Sequence, residues 1–419
     1  MMMISKNSSF LIALLLAAPL SMAQVKFDDR FIDKSLRIDF VLTGSSGEET
    51  AAPLQLYQEP FWSGPRTNLI EPLSYGSYQI VLQDRESGDT IYTRSFNTLF
   101  EEWRTTAEAK QHKESWVNSI VTPFPKKPVM VTLNSRDRHN PVFHKLFDMK
   151  LEPDDLIIDK SEKPSYPAFV LQEKGAPAEK VDLLFLGEGY TADQLKLFEA
   201  DARRFTEALF TFPPFSNHRD DFNVRAVCAP SVHEGCDVSG EGIFKNTVLN
   251  TGFYTFGVER YLTTRDMRSI RDLSANVPCD AVFILVNEER YGGGGIYNLY
   301  AIGTAHNRLT PQVFVHELGH SFAGLADEYY TSTVAYEDFH KLNYEPWEPN
   351  ITTLVDFGSK WKAMVDREEG VGTYEGAAYA AKGIYRPAEH CMMKDYHPFC
   401  PVCSKTIENM IDYLCGRSL

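Results

Sequence analysis

The stretch that most constrains this chain is Thr310 to Tyr330, TPQVFVHELGHSFAGLADEYY. Side chains four apart on a helix stand one turn above each other, so His316 and His320 of HELGH can aim ring nitrogens at a single cation. Two imidazoles so spaced suit zinc, and Glu317 beside them can reach an activated water without ligating the metal, which is the place for a general base. The surroundings predict a helix: Thr310 as N-cap, Pro311 as first residue, Val313, Phe314, Val315, Leu318 and Phe322 as buried surface, Gly324 as left-handed stop. A catalytic zinc takes three protein ligands and keeps one position open. Asp327, just past the turn, is the expected third ligand, with Glu328 in reserve.

Before this unit the residues alternate between strand and helix. VDLLFLGEGY, from Val181, reads as a continuous apolar strand and TADQLKLFEADARRFTEALF as a helix capped at Thr191 or Asp193. FNVRAVCAP, CDAVFILVNE and IYNLYAIGTA read as further strands, and ERYLTTRDMRSIRDLSANV as a helix between them. The expected result is a mixed sheet over the HELGH helix. The run Gly292 to Gly295 lacks the lysine and the following helix of a phosphate loop, and is expected as a flexible edge beside a substrate cleft.

The first 150 residues have a different character. Leu36, Ile38, Phe40 and Leu42 alternate with polar partners, GSYQIVLQD and DTIYTRSF form two strands joined around Ser87 and Gly88, and KKPVMVTLN forms another. EEWRTTAEAKQHKESW has helical character instead. The overall expectation is an α+β chain: residues 1–23 a signal peptide, 24–150 a mainly β, sandwich-like accessory domain, 151–178 a linker with one or two short strands, and 179–419 the metal-dependent domain.

Residues 1–23 carry Lys6, an apolar run from Phe10 to Leu20, and Ser21 and Ala23 placed for cleavage before Gln24, so export to an extracellular or periplasmic location is expected. No later stretch is apolar enough to cross a membrane, and stable membrane insertion is not expected. The formal charge of −15 argues against nucleic-acid partners, and 43% hydrophobic with 12% aromatic residues argues for globular structure throughout. All seven cysteines lie beyond residue 227. Cys400 and Cys403 are expected in disulfides with Cys391, Cys415 or each other, with a redox role or a second metal site as the alternative.

HELGHSFAGLADEY, followed by CMM and FCPVC, resembles the M64 metallopeptidases, the IgA peptidase family or igalysins, within the metzincins. LFLGEGYTADQ and the FNV strand extend the likeness over roughly Glu179 to Cys415, and the N-terminal region resembles the domain that often precedes such units. The resemblance implies one catalytic zinc on His316, His320 and Asp327, Glu317 as base, and a methionine turn at CMM, with Met393 as floor and Tyr396 as possible transition-state support. Metzincins usually place a glycine three residues after the second histidine and a third histidine three beyond. Here Gly324 comes four after His320, and Asp327 follows three later. The implied function is a secreted zinc endopeptidase acting on protein or peptide substrates, immunoglobulin A or other host glycoproteins among them. The alternatives are a zinc amidase of small substrates and a secreted glycan- or protein-binding module with a vestigial metal site.

Overall fold

The computed structural model describes residues 25–137, 140–331 and 340–419; the expected signal peptide, residues 1–23, lies outside them. A short helix α1 (Phe27–Arg30) leads into strands β1 (Phe31–Gly44), β2 (Glu49–Glu59), β3 (Tyr78–Asp84) and β4 (Thr90–Phe96), then helix α2 (Leu99–Trp103). Strands β5 (Glu114–Pro125), β6 (Val129–Asp137), β7 (Asn140–Leu151) and β8 (Ile158–Asp159) follow. They form two four-stranded sheets, ordered β5-β1-β2-β8 and β4-β3-β6-β7. The sheets share a core in which Phe40 of β1 meets Phe96 of β4 at 6.2 Å and Phe147 of β7 at 6.4 Å between ring centroids. The turn between β3 and β4 falls at Ser87 and Gly88. Asp84 Oδ1 accepts the N–H groups of Glu86 and Ser87 at 2.8 and 3.0 Å, and Gly88 takes φ of 78°. Of the stretch with helical character, the start is α-helical, where Thr98 Oγ1 accepts the Glu101 N–H at 3.1 Å, and Glu108–Lys110 forms a single 3-10 turn; its end is the start of β5.

Strict alternation in β1 would leave Arg37 and Asp39 facing water, yet both are buried. The reason is tertiary. Helix α4 (Met267–Ser274) of the C-terminal region docks on that face, with α3 (Leu195–Leu209) preceding it in the chain. Arg37 bonds Asp39 at 2.8 Å and Asp272 at 2.5 Å, while Arg268 reaches Asp39 at 3.3 Å. A second contact between the regions centres on buried Glu71. It pairs with Arg94 at 3.2 Å and accepts the Tyr297 hydroxyl at 3.2 Å, and Asn97 N–H donates to the Tyr297 carbonyl at 2.9 Å. Removing one partner of a buried ion pair leaves the other charge uncompensated. Arg94→Met is therefore expected to destabilise the protein by about 3–5 kcal/mol, read as a lowered urea midpoint; an unchanged midpoint would show that the pair carries no stability.

The C-terminal region is built on a six-stranded sheet. Its strands, in chain order, are β9 (Ala168–Gln172), β10 (Val181–Glu188), β11 (Phe222–Val227), then β14 (Ala281–Val286), β15 (Gly293–Ile296) and β16 (Tyr300–Thr304), with a small pair β12 (Asp237–Val238) and β13 (Gly252–Phe253) set apart. The order β15-β16-β14-β10-β11-β9 has four parallel strands at its centre and an antiparallel strand at each edge. Both short strands of the stretch expected as a linker are used: β8 pairs with β2 and β9 with β11. The helix expected from residue 259 begins only at Met267, because Asp266 caps it by accepting the Ser269 N–H at 3.1 Å. The residues before it run extended beside β15.

Helix α5 (Thr310–Ala323) packs under this sheet, its Phe314 ring 4.5 Å from Phe283 and 5.5 Å from Phe205. Leu309 occupies the N-cap instead of Thr310, whose hydroxyl donates to the Asn307 carbonyl at 2.7 Å. Beyond it come α6 (Lys362–Asp366), a hairpin of β17 (Tyr374–Ala377) and β18 (Ala380–Arg386), the short α7 (Met392–Asp395) and α8 (Pro401–Leu414). The molecule is thus a mixed α/β protein: a β-rich N-terminal region and a mixed sheet flanked by helices.

Candidate metal centre

Helix α5 stops where the sequence predicts. Gly324 takes φ of 68°, its N–H donates to the His320 carbonyl at 3.0 Å, and the Leu325 N–H donates to Gly319 at 3.2 Å. This reversal folds the next residues back beneath the helix, where the Asn350 side chain clamps Ala326 through both backbone groups at 2.7 and 2.9 Å. Asp327 is thereby delivered to the histidines, and the carboxylate of Glu328 turns the opposite way, towards Asn350 and Cys403. The structure brings together His316, His320 and Asp327, and leaves Glu328 out of that group.

His316 Nδ1 lies 3.0 Å from the Met392 carbonyl oxygen and His320 Nδ1 2.6 Å from that of Leu325. A carbonyl only accepts, so each Nδ1 carries the hydrogen and the neutral ring leaves Nε2 bare. The two Nε2 atoms are 3.2 Å apart, and Asp327 Oδ1 lies 3.0 and 3.2 Å from them. Three lone pairs therefore converge in a nearly equilateral triangle. Tetrahedral ligands at zinc's usual ~2.05 Å are spaced ~3.3 Å apart, so the donor set fits zinc in type and spacing. Asp327 Oδ1 is buried with no hydrogen-bond donor, as expected of an oxygen arranged for a cation. The electrostatics agree. Burial works against a charged His320, but Asp327 outweighs it and lifts the ring to about 9. Burial also opposes the Asp327 charge, yet His320 and His316 hold its carboxyl well below the usual range. The field that favours a proton here favours a cation.

A second layer holds Asp327. Tyr379 donates its hydroxyl to Oδ2, Tyr329 also hydrogen-bonds the carboxylate, and Arg260 hydrogen-bonds Tyr329. None of these three was marked by the sequence analysis. Tyr329 adjoins the acidic pair and was open to suspicion on that ground; Arg260 and Tyr379 arrive from distant loops without a local signal.

Glu317 faces β15, the glycine run, which forms an edge strand beside the cleft. A Cβ on Gly293 would lie 3.0 Å from Glu317 Oε1, and one on Gly295 only 2.4 Å from the Glu317 backbone oxygen and 2.8 Å from His320 Cβ. Only glycine lets the strand approach this closely. Gly295→Ala is expected to push the strand off the helix, with about 1–3 kcal/mol of destabilisation and a loss of activity larger than that of any surface alanine control; a variant matching the parent in both melting and turnover would refute the close fit. Burial, foremost, raises the Glu317 carboxyl above its ordinary range.

Met393 sits under α5, its Sδ 2.7 Å from where a Gly319 Cβ would stand, and its carbonyl accepts the Glu328 N–H at 2.8 Å. Tyr396, at φ of 62°, points its ring edge-on to His316 at 5.7 Å and shares a 2.7 Å hydroxyl contact with Tyr291. Both tyrosines line a cleft of ≈ 440 Å³ in which the three donors and Glu317 lie, and Asn97 and Glu102 of the N-terminal region form part of its wall. The cysteine expectation is overturned: all seven are free thiols, and the sulfurs of Cys391 and Cys403 stand 3.7 Å apart.

Two histidines one turn apart, a carboxylate completing their triangle and a buried glutamate alongside are the constellation of metal-dependent hydrolases. The chain belongs to the IgA Peptidase M64 family: that family's model matches residues 169–371 and 366–411, and the model for the peptidase M64 N-terminus matches residues 26–147. Membership implies metallopeptidase activity and, with it, a peptide or protein substrate. No curated protein matches the chain. No helix among the described residues is long and apolar enough to cross a membrane.

Proposed function

We propose that this chain is an exported zinc endopeptidase of the metzincin type, with a sandwich-like accessory domain forming one side of its cleft. The triangle of His316 Nε2, His320 Nε2 and Asp327 Oδ1 beside Glu317 carries the reading. Those three side chains would hold one zinc ion, which when bound supplies a Lewis acid for the scissile carbonyl and lowers the pKa of water. Glu317 takes the proton from the attacking water on a carboxylate oxygen and delivers it to the leaving nitrogen, a transfer favoured by a carboxyl raised through burial. Tyr396 is placed to donate its hydroxyl to charge developing on the carbonyl oxygen. The thioether of Met393 packs and does not ligate. Arg260, Tyr329 and Tyr379 orient Asp327.

On β15, Gly293 directs its outward N–H and C=O to Arg260 and Leu262 at 3.3 Å. Strand alternation turns Gly295 to the same outer edge, in the cleft wall, where an extended substrate can add as a further strand. Cleavage-site profiling on a proteome-derived peptide library, with and without a chelator and with zinc returned, tests the assignment. Immunoglobulin A, named in the family's description, is the first intact protein to try. Chelator-sensitive cuts within peptides are expected. Hydrolysis confined to small amides, or zinc binding with no hydrolysis at all, would replace the reading with an amidase or a binding module.

A further inference from the structure

Next to the catalytic cluster, and facing away from it, is a second group of ligand-type side chains. Glu328, Cys391, Cys400 and Cys403 each present one oxygen or sulfur atom, and these four atoms all lie within 4.8 Å of one another. All four residues are buried. Cys391 Sγ is 3.7 Å from Cys403 Sγ, which in turn is 3.2 Å from Glu328 Oε1. Sulfur ligands at the usual ~2.3 Å from zinc occupy tetrahedral corners ~3.8 Å apart, so the spacing is that of a metal site, whereas a disulfide needs ~2.05 Å. A second observation points the same way: Glu328 Oε2 is buried with no hydrogen-bond partner.

We propose that Glu328, Cys391, Cys400 and Cys403 form a second, closed site for a zinc-class divalent cation with a structural role. Three sulfurs favour zinc over the oxygen-seeking magnesium or calcium, and four protein ligands leave no open position for water, which separates this site from the one beside Glu317. The surroundings supply what buried thiolates need. The Cys400 N–H donates to Cys391 Sγ at 3.4 Å, the Cys403 N–H donates to Cys400 Sγ at 3.5 Å at the start of α8, and Asn350 Nδ2 donates to Glu328 Oε1 at 3.0 Å. These bonds and the charge of Arg386 offset the negative charge left after a dication binds and displaces the thiol protons.

The site joins three pieces that position the catalytic centre. Glu328 follows Asp327, Cys391 precedes the Met392 carbonyl that orients His316, and Cys400 and Cys403 begin α8. Asn350, which clamps Ala326, also holds Glu328. A cation here would pin the turn that delivers Asp327.

The test is zinc content and zinc X-ray absorption on the full chain, purified without added reductant and reconstituted with zinc. Two zinc ions per chain and a zinc–sulfur shell at ~2.3 Å are expected. His316→Ala should lose one ion and keep the sulfur shell; Cys400→Ser/Cys403→Ser should lose the sulfur shell. One ion per chain with only nitrogen and oxygen neighbours would overturn the proposal, as would a disulfide between any two of Cys391, Cys400 and Cys403 in peptides mapped without reduction. The measurements on the unaltered protein decide even if the double variant fails to fold. Absence of peptidase activity leaves them untouched, so this inference and the proposed function fail separately.

Discussion

Glu317→Ala should bind zinc as the parent does and cleave protein substrates about 10²–10⁴-fold more slowly, the usual contribution of a positioned general acid and base. The two halves of this result have separate causes. Zinc is retained because the converging donors are His316 Nε2, His320 Nε2 and Asp327 Oδ1, none of which the substitution touches. Turnover falls because the carboxylate that moves the proton has gone from the wall of the cleft. Glu317→Gln keeps the volume against Gly293 and separates lost chemistry from lost packing, and it should be as slow as the alanine variant. Parental kcat/KM in either protein would remove Glu317 from the mechanism.

His316→Ala is expected to abolish both binding at this site and cleavage. It removes one corner of a triangle whose edges are 3.0 and 3.2 Å and leaves two donors where a catalytic zinc needs three. It also withdraws the ring that Met392 orients from below. Isothermal titration of the metal-free protein should show the catalytic binding event missing, and digestion should fall to the level of the chelated parent. Peptidase activity persisting at the parent's level without that event would mean that the reaction does not run through this cluster.

Much of this was legible in the sequence because it is local. The HELGH spacing, the left-handed glycine that ends the helix and the strand–helix alternation before it all depend on residues within a few turns of one another, and each predicts its own geometry. The choice between Asp327 and Glu328 was not local. Adjacent carboxylates after a turn look alike in sequence, and what separates them is Asn350, which fixes the direction in which the chain leaves α5. Arg37 and Asp39 were misplaced for a similar reason, since the helix that covers them is contributed by residues more than two hundred positions later. The cysteines show the limit most clearly. Cys400 and Cys403 were expected in disulfides, but the fold brings Glu328 against Cys403 across 75 residues of chain. A mixed ligand set drawn from three segments has no sequence spacing to find.

Gly293, Gly294 and Gly295 bring only main chain to the cleft. A wall without side chains cannot tell one residue of a polypeptide from another, so in the proposed enzyme it grips any extended segment alike and leaves the choice of sequence to the side chains that line the rest of the cleft. Among these are Val258 and Trp347, beside the N-terminal region's Asn97 and Glu102. Selectivity is therefore drawn from both regions of the chain, at positions outside the metal cluster: relatives could keep the same helix and the same glycines and acquire new targets by altering only these side chains.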